Sequence, residues 1–389
     1  MSIQRREFLK TAFGAVALIG SGGGLLGARV ASAATDAGLP STLVWSTYDL
    51  GSTGYVEASA MADALGKTYG TRVRLQPSGT SLGRIKPLLE RRLDYAWLSD
   101  ELFFASEAMY EYAAPDVGPQ DLRTLLGRLQ SYGLAATKRS GVKTLQDIKG
   151  KRFAIAKANT SANVKTEAIL AFAGLSWNDL ELVEVPSYSA TYKALIEGRA
   201  DVTGVVPQAP LLRELEASPY GLQWIELDPN HAEGWRKLQQ VVPYCAPFQE
   251  TIGAGLSENA PVWLVGYRYP QIATRAEVSA DAVYRLVKAI AQTYDQYKDA
   301  APIMKRWAVD KSGVPPAGAA FHEGAVRYLR EAGVWSSEHQ QWNERRLERH
   351  RALQTAWREM MTKEFRGQAE PERVREVWLA RRAEILQTF

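Results

Sequence analysis

The chain has 389 residues, 46% of them hydrophobic and 23% charged, with a formal net charge of +4. That composition excludes global disorder, a collagen-like chain and a multispan membrane protein, and the length exceeds what a single core fills, since cores stop growing near about 250–300 residues. Within the first 33 residues Arg5, Arg6, Lys10 and Arg29 stand against Glu7 alone, so the remainder carries only +1 and lacks the basic excess of a general nucleic-acid binder.

Residues 4–10 (QRREFLK) place a twin arginine and an apolar pair ahead of a glycine-diluted apolar stretch, 11–26, that ends in Ala31-Ser32-Ala33. This reads as a twin-arginine export signal cleaved after Ala33, because 16 residues interrupted by glycine fall short of the ~20 that a membrane span needs. The GxGxxG match at residues 22–27 follows no strand and is set aside. Next come a strand at 42–47, a polar loop and a helix over 55–69, then strand 72–76, loop 77–80, helix 81–92 and strand 94–98. Such alternation predicts a parallel α/β lobe. An extended run at 122–137 leads to a second α/β lobe: strand 152–156, helix 162–172, strand 180–185, helix 188–197, strand 201–206 and a further helix. A strand at 262–267 and a helix over 280–297 return the chain to the first lobe, so that it crosses twice. Residues 343–389 hold 11 Arg or Lys against 8 Asp or Glu among spaced tryptophans, which predicts two charged amphipathic helices divided near 367–371.

Gly79-Thr80-Ser81-Leu82-Gly83 matches the nucleophile elbow GxSxG between a strand and a helix. Only two strands of the mature chain precede it and no oxyanion loop does, so a serine hydrolase is the weaker reading and Ser81 as a helix cap the plainer one. His231, His322, His339 and His350 form no ligand pair at helical spacing, and Cys245 stands alone, so neither a metal site nor a disulfide is expected. The recurring feature is instead the polar loop that follows a strand and opens a helix, at 49–53, 78–81 and 159–161, with 187–191 and 207–208 as further candidates. Loops of this kind present hydroxyls and free N–H groups where open α/β sheets bind ligands.

Residues 47–55 (TYDLGSTGY), 76–82 (QPSGTSL), Ser99-Asp100 after the third strand, 195–203 (LIEGRADVT) and 321–331 (FHEGAVRYLRE) together resemble the TAXI family, the extracytoplasmic solute-binding subunits of TRAP transporters. The resemblance spans roughly residues 40–335 and implies two α/β lobes that close on a small solute, a carboxylate or amino acid, for delivery to a membrane permease. Asp49 departs from the family's glycine-rich first loop, and a carboxylate there repels an anion unless it is paired or holds an amine. The tail beyond Trp335 exceeds the family length.

The resulting expectation is an α/β, two-lobe periplasmic-binding-protein-like (type II) fold with a C-terminal helical extension. Lobe I comprises 34–136 plus 244–320, lobe II 137–243 and the extension 321–389, with bending near 134–137 and 262–267. The ligand contacts expected are Tyr48, Ser52, Thr53, Ser78, Thr80, Ser81 and Arg84 from the first lobe and Asn159, Thr160, Ser161, Tyr188 and Gln208 from the second. Arg84 is placed to clamp a carboxylate, and the two tyrosines to cover an apolar part of the solute. No catalysis, cofactor, metal or nucleic acid is expected. The protein is read as a periplasmic monomer whose partner is a TRAP-type permease, with a membrane sensor as the alternative partner.

Overall fold

The computed structural model describes residues 38–365 and 370–389. The export signal expected over residues 1–33 lies outside them, as does part of the break expected near 367–371.

In chain order the first lobe opens with β1 (Thr42–Tyr48), α1 (Thr53–Tyr69), β2 (Arg72–Ser78), α2 (Ser81–Leu89), β3 (Tyr95–Leu98) and α3 (Glu101–Ser106). The long β4 (Leu122–Thr137) leads into β5 (Arg152–Ile155), α4 (Thr160–Phe172), β6 (Glu181–Glu184), α5 (Tyr188–Ile196), β7 (Val202–Val205), α6 (Pro210–Ala217), β8 (Leu222–Ile225) and α7 (Ala232–Val241). The return is made by β9 (Ala246–Glu250) and β10 (Val262–Arg275), followed by α8 (Ala280–Gln292), the single turns α9 (Tyr294–Tyr297) and α10 (Val309–Ser312), and α11 (Glu323–Glu331). Two longer helices, α12 (Ser337–Lys363) and α13 (Pro371–Leu386), end the chain.

The strand order is β2-β1-β3-β10-β4-β7-β5-β6, with β8 on β4 and β9 on β10. Pairs β1–β2, β1–β3, β5–β6 and β5–β7 are parallel, each joined through a helix, as short strand–helix alternation dictates. The antiparallel pair β4–β10 binds the two lobes together, running from Arg275 opposite Leu122 to Val265 opposite Tyr132. At Gly133 strand β4 changes partners and inserts between β7 and β8. The exchange thus falls just ahead of residues 134–137.

Strand β10 continues well beyond the 262–267 read from sequence. Pro270 sits where the β4–β10 register shifts, between Arg268 and Gln271, where a missing N–H costs no ladder bond. The helix expected over 280–297 is instead broken at Thr293, whose hydroxyl donates to the carbonyls of Ala289 and Ile290 at 2.8 and 3.2 Å. Likewise the helix from Ser81 ends at Leu89, ahead of Arg91 at φ 59°.

Lobe I packs around fully buried Trp45, Trp97 and Trp307, whose ring centroids lie 5.2–5.8 Å apart in sequence. Beside them Glu57 of α1 takes Nε of Arg128 at 2.8 Å and Nε1 of Trp307 at 2.5 Å, so this buried ion pair is fully hydrogen-bonded, as burial of charge requires. The C-terminal helices form a second, smaller core of Leu353, Trp357, Met360, Val374 and Trp378 against Ala108 and Ala113 of lobe I. Their anchor is Glu107, buried and ion-paired with Arg346, Arg349 and Arg382. The tryptophans read from sequence as a helix stripe therefore face lobe I, with the indole of Trp378 donating to Ala108 O at 2.8 Å.

Candidate functional site

Each α/β lobe ends its parallel strands in the same cleft, and the loops there meet the opposite lobe directly. From lobe I, β2 delivers Ser78, Gly79 and Thr80. Thr80 is the N-cap of α2, accepting from Gly83 N at 3.1 Å, so Ser81 is the first helical residue rather than the cap. That leaves its hydroxyl free to face lobe II. Ser81 Oγ donates to Asn159 Oδ1 at 2.8 Å and accepts from Ser161 N at 3.2 Å, while Ser81 N donates to Ala158 O at 3.1 Å.

A second seam lies alongside. Tyr188 N donates to Gly79 O at 3.0 Å, and the close approach needs glycine, because a Cβ on Gly79 would stand 2.5 Å from the Ser187 Cβ. Asp49 accepts from Ser189 N at 3.1 Å, and Ser189 Oγ donates to Leu50 O at 2.9 Å. The Asp49 carboxylate thus joins the lobes at the open end of α5.

Between these seams is a cage of five buried tyrosines, Tyr48, Tyr132, Tyr188, Tyr267 and Tyr269, around a cavity of about 10 Å³. That is room for about one water. The Tyr48 and Tyr269 rings meet edge-on at 5.0 Å and Tyr267 stacks on Tyr269 at 5.7 Å. Two cations border the cage. The Arg84 guanidinium lies 4.0 Å over the Tyr48 ring, and Lys165 Nζ lies 4.5 Å from the Tyr267 centroid and 5.2 Å from that of Tyr132. Both are paired with acids: Arg84 Nε with Glu101 Oε1 at 2.9 Å, and Lys165 with Asp100 across the lobes. Lys165 also donates to Ser161 O at 2.7 Å.

Burial pushes the phenols of Tyr48, Tyr188, Tyr267 and Tyr269 well above their ordinary range, so they remain neutral donors. Burial acts to lower the Arg84 pKa, but the Glu101 carboxylate outweighs it and holds the guanidinium charged. Burial raises the Asp100 pKa against the pull of Lys165. The hydroxyls of Tyr48, Ser99 and Tyr269 are buried and make no hydrogen bond among the described residues.

The twelve residues expected at the site divide into three sets and one residue, Thr160, that stands apart. Tyr48, Ser81, Arg84, Asn159, Ser161 and Tyr188 converge on the cage or on the seam beside it. Ser52, Ser78 and Thr80 serve the loops themselves: Ser52 caps α1 and donates to Asp49 O at 2.7 Å, and Ser78 accepts from Thr80 N at 3.4 Å. Thr53, whose buried hydroxyl has no partner among the described residues, and Gln208 line a separate interlobe cavity of about 310 Å³. Gln208 is held there by Gln130 at 2.6 Å and Ile252 O at 2.6 Å, and Thr160 is turned away to Glu111 at 2.8 Å.

Sequence reasoning missed Lys165, Glu101, Tyr132, Tyr267 and Tyr269. Lys165 is four residues after Ser161 on the same helix face, and Tyr267 and Tyr269 share one face of a strand, so both signals were readable by periodicity. The hydrogen-bond partners of Ser81 include no histidine or carboxylate that would activate it as a nucleophile. The histidines are engaged elsewhere, with His231 and His322 accepting from Gly234 N and Gly324 N at helix starts. Among the described residues, no helix is long and apolar enough to cross a membrane, and no group of three or more His, Cys, Asp or Glu is placed to hold a metal ion.

Residues 47–333 match the NMT1-like family. The chain belongs to that family. The matched region contains the whole cleft and stops ahead of α12 and α13, so the C-terminal helices are an addition to the NMT1-like part. No curated protein matches the chain in sequence. Among solved structures, a Bordetella bronchiseptica RB50 protein is 17% identical with a TM-score of 0.46, covering 79% of this chain and 98% of its own. The periplasmic aliphatic sulphonate-binding protein SsuA of Escherichia coli is 16% identical with a TM-score of 0.41, covering 79% and 92%. The alkanesulfonate-binding SsuA of Xanthomonas axonopodis pv. citri, solved with MOPS, is 14% identical with a TM-score of 0.40, covering 76% and 91%.

Proposed function

We propose that this NMT1-like protein is a periplasmic solute-binding subunit that captures a small organic solute between its lobes, without catalysis, and delivers it to a TRAP-type permease, in keeping with its resemblance to the TAXI family. The observation that carries the reading is the tyrosine cage itself, where loops of both lobes bring two cations, two acids and unpartnered hydroxyls to one point. Arg84 and Lys165 are balanced by Glu101 and Asp100, so a bare anion would have to displace a carboxylate from a buried cation. A solute with both a carboxylate and an ammonium group suffers less, because it presents one charge to each sign. An amino acid is therefore favoured over a simple carboxylate.

In this account lobe I takes residues 34–136 plus 244–320 and lobe II residues 137–243. The protein works as a monomer and is exported through its twin-arginine segment. Bending where β4 leaves β10 opens the seams through Ser81 and Gly79, and a bound solute closes them by contacts to both lobes. The test is recovery of the solute from purified protein by native mass spectrometry, followed by calorimetry with amino acids and organic acids. An amino acid bound at one per chain supports the reading. Ester hydrolysis lost in Ser81→Ala, with no solute bound, replaces it with the hydrolase alternative.

A further inference from the structure

Outside the cleft, where α12 crosses lobe I, lies a cavity of about 230 Å³, far larger than the space inside the tyrosine cage. Its wall on the lobe side includes Phe103, Tyr244 and Arg268, and its wall on the helix side Trp342, Arg346 and Arg349. Aromatic faces thus alternate with guanidinium groups.

The charges do not cancel. Arg268 forms no ion pair among the described residues, and its guanidinium is held there only by backbone carbonyls, those of Gly127 at 2.5 Å, Lys311 at 2.7 Å and Pro315 at 3.5 Å. Arg346 and Arg349 share a single carboxylate, Glu107, with a third guanidinium, Arg382. The one acid in the lining, Asp100, is already bound by Lys165 from the other lobe. Burial lowers the pKa of Arg268 and of Arg346 to about 10, which leaves both protonated at neutral pH and both short of solvation. Partly buried cations in excess of their acids are stabilised by an anion, and the planar guanidinium fork suits an acid group with two coplanar oxygens.

We infer that this pocket is a second ligand site, distinct from the interlobe cleft, that binds a small organic anion with an aromatic body, its acid group against Arg268 and Arg346 and its ring between Trp342 and Tyr244. The site exists only in a chain carrying the C-terminal helices, because Trp342, Arg346 and Arg349 lie beyond the NMT1-like region. Asp100 lines this pocket and its partner Lys165 lines the cage, so an anion here lies beside the ion pair that joins the lobes.

The test is calorimetric titration of the full mature chain with benzoate and benzenesulfonate as probes. One probe molecule is expected to bind per chain, with affinity reduced about tenfold or more in Arg268→Gln. Because Arg268 also ties backbone segments together, Ala317→Phe serves as the second variant: it fills the cavity from its lining, removes no charge, and should abolish binding. Tyr48→Phe, in the cage and changing no charge, should leave probe affinity within about twofold. The inference is overturned if neither probe binds, if Ala317→Phe binds as well as the parent, or if Tyr48→Phe alone removes binding.

Discussion

Ser81 and Asn159 are 78 positions apart in the chain, yet Ser81 Oγ donates a 2.8 Å hydrogen bond to Asn159 Oδ1 that closes one lobe upon the other. Both atoms are buried, and the same hydroxyl accepts from Ser161 N. A buried hydroxyl with partners in both lobes is a contact that opening must break.

Ser81→Ala removes this contact without removing the helix cap, which belongs to Thr80. The Asn159 amide oxygen and Ser161 N–H are then left unpaired on closure, at a cost of about 1–3 kcal/mol. Calorimetry should show solute affinity weakened by that amount, while the thermal midpoint of the unliganded protein changes little. An unfolded variant with a lost midpoint would instead make Ser81 a structural residue.

Gly79→Ala acts on closure by steric means. The new Cβ meets Ser187 at 2.5 Å, a backbone-anchored contact that neither lobe can relieve without separating. Small-angle scattering should therefore report a larger radius of gyration for this variant than for the parent under saturating solute, with circular dichroism unchanged. Equal radii would show that the Gly79–Tyr188 seam does not govern closure.

The lobes were legible in the sequence because short strands alternate with amphipathic helices, and that pattern places polar loops at the strand ends whatever the ligand. Residues in those loops, such as Tyr48, Ser81 and Asn159, were accessible for that reason. Tyr267 and Tyr269 lie on a strand and not in those loops, and the strand read from sequence stopped at Tyr267, whereas β10 runs on through a register shift. The pairing of Lys165 with Asp100 escaped for another reason. Each lies on a helix or loop of its own lobe, and only the tertiary arrangement brings a lysine of α4 to the end of β3. The docking of the C-terminal helices was likewise hidden, since mixed charges look solvated in sequence while Glu107 gathers three of the arginines in space.

Lys165→Met deletes one half of the ion pair across the cleft and leaves the Asp100 carboxylate buried without its cation. Breaking such a pair costs about 3–5 kcal/mol, and here the cost falls on the closed form. Hydrogen exchange should speed up at the amides of Tyr188 and Ser161, which are bonded across the lobes. Unchanged protection at both would remove the pair from the closing mechanism.

Glu107 gives the extension a defined response to acid. Burial alone would raise its pKa, but Arg346, Arg382 and Arg349 overcome that and hold it below its ordinary value of 4.5. A carboxyl whose pKa is depressed on folding contributes stability above its unfolded pKa, and that contribution is lost as pH falls below 4.5 and through the folded value. Near-ultraviolet dichroism of the paired Trp357 and Trp378, whose rings meet at 5.0 Å, should decline over that window. In Glu107→Gln the acid-dependent step should vanish, and the helices should be destabilised at neutral pH by about 3–5 kcal/mol. A parent and variant with identical acid profiles would assign the transition to other groups.

The central claim, that the lobes close on a solute at the tyrosine cage, is tested most directly by titrating the parent and a Tyr48→Phe, Tyr269→Phe double variant with amino acids in a calorimeter. Both hydroxyls are buried without a partner among the described residues, so their removal spares the fold and touches only what enters the cage. The account predicts one amino acid bound per parent chain and a loss of about tenfold or more in affinity in the double variant. Equal affinity in the two proteins, or no amino acid bound by the parent, would contradict it.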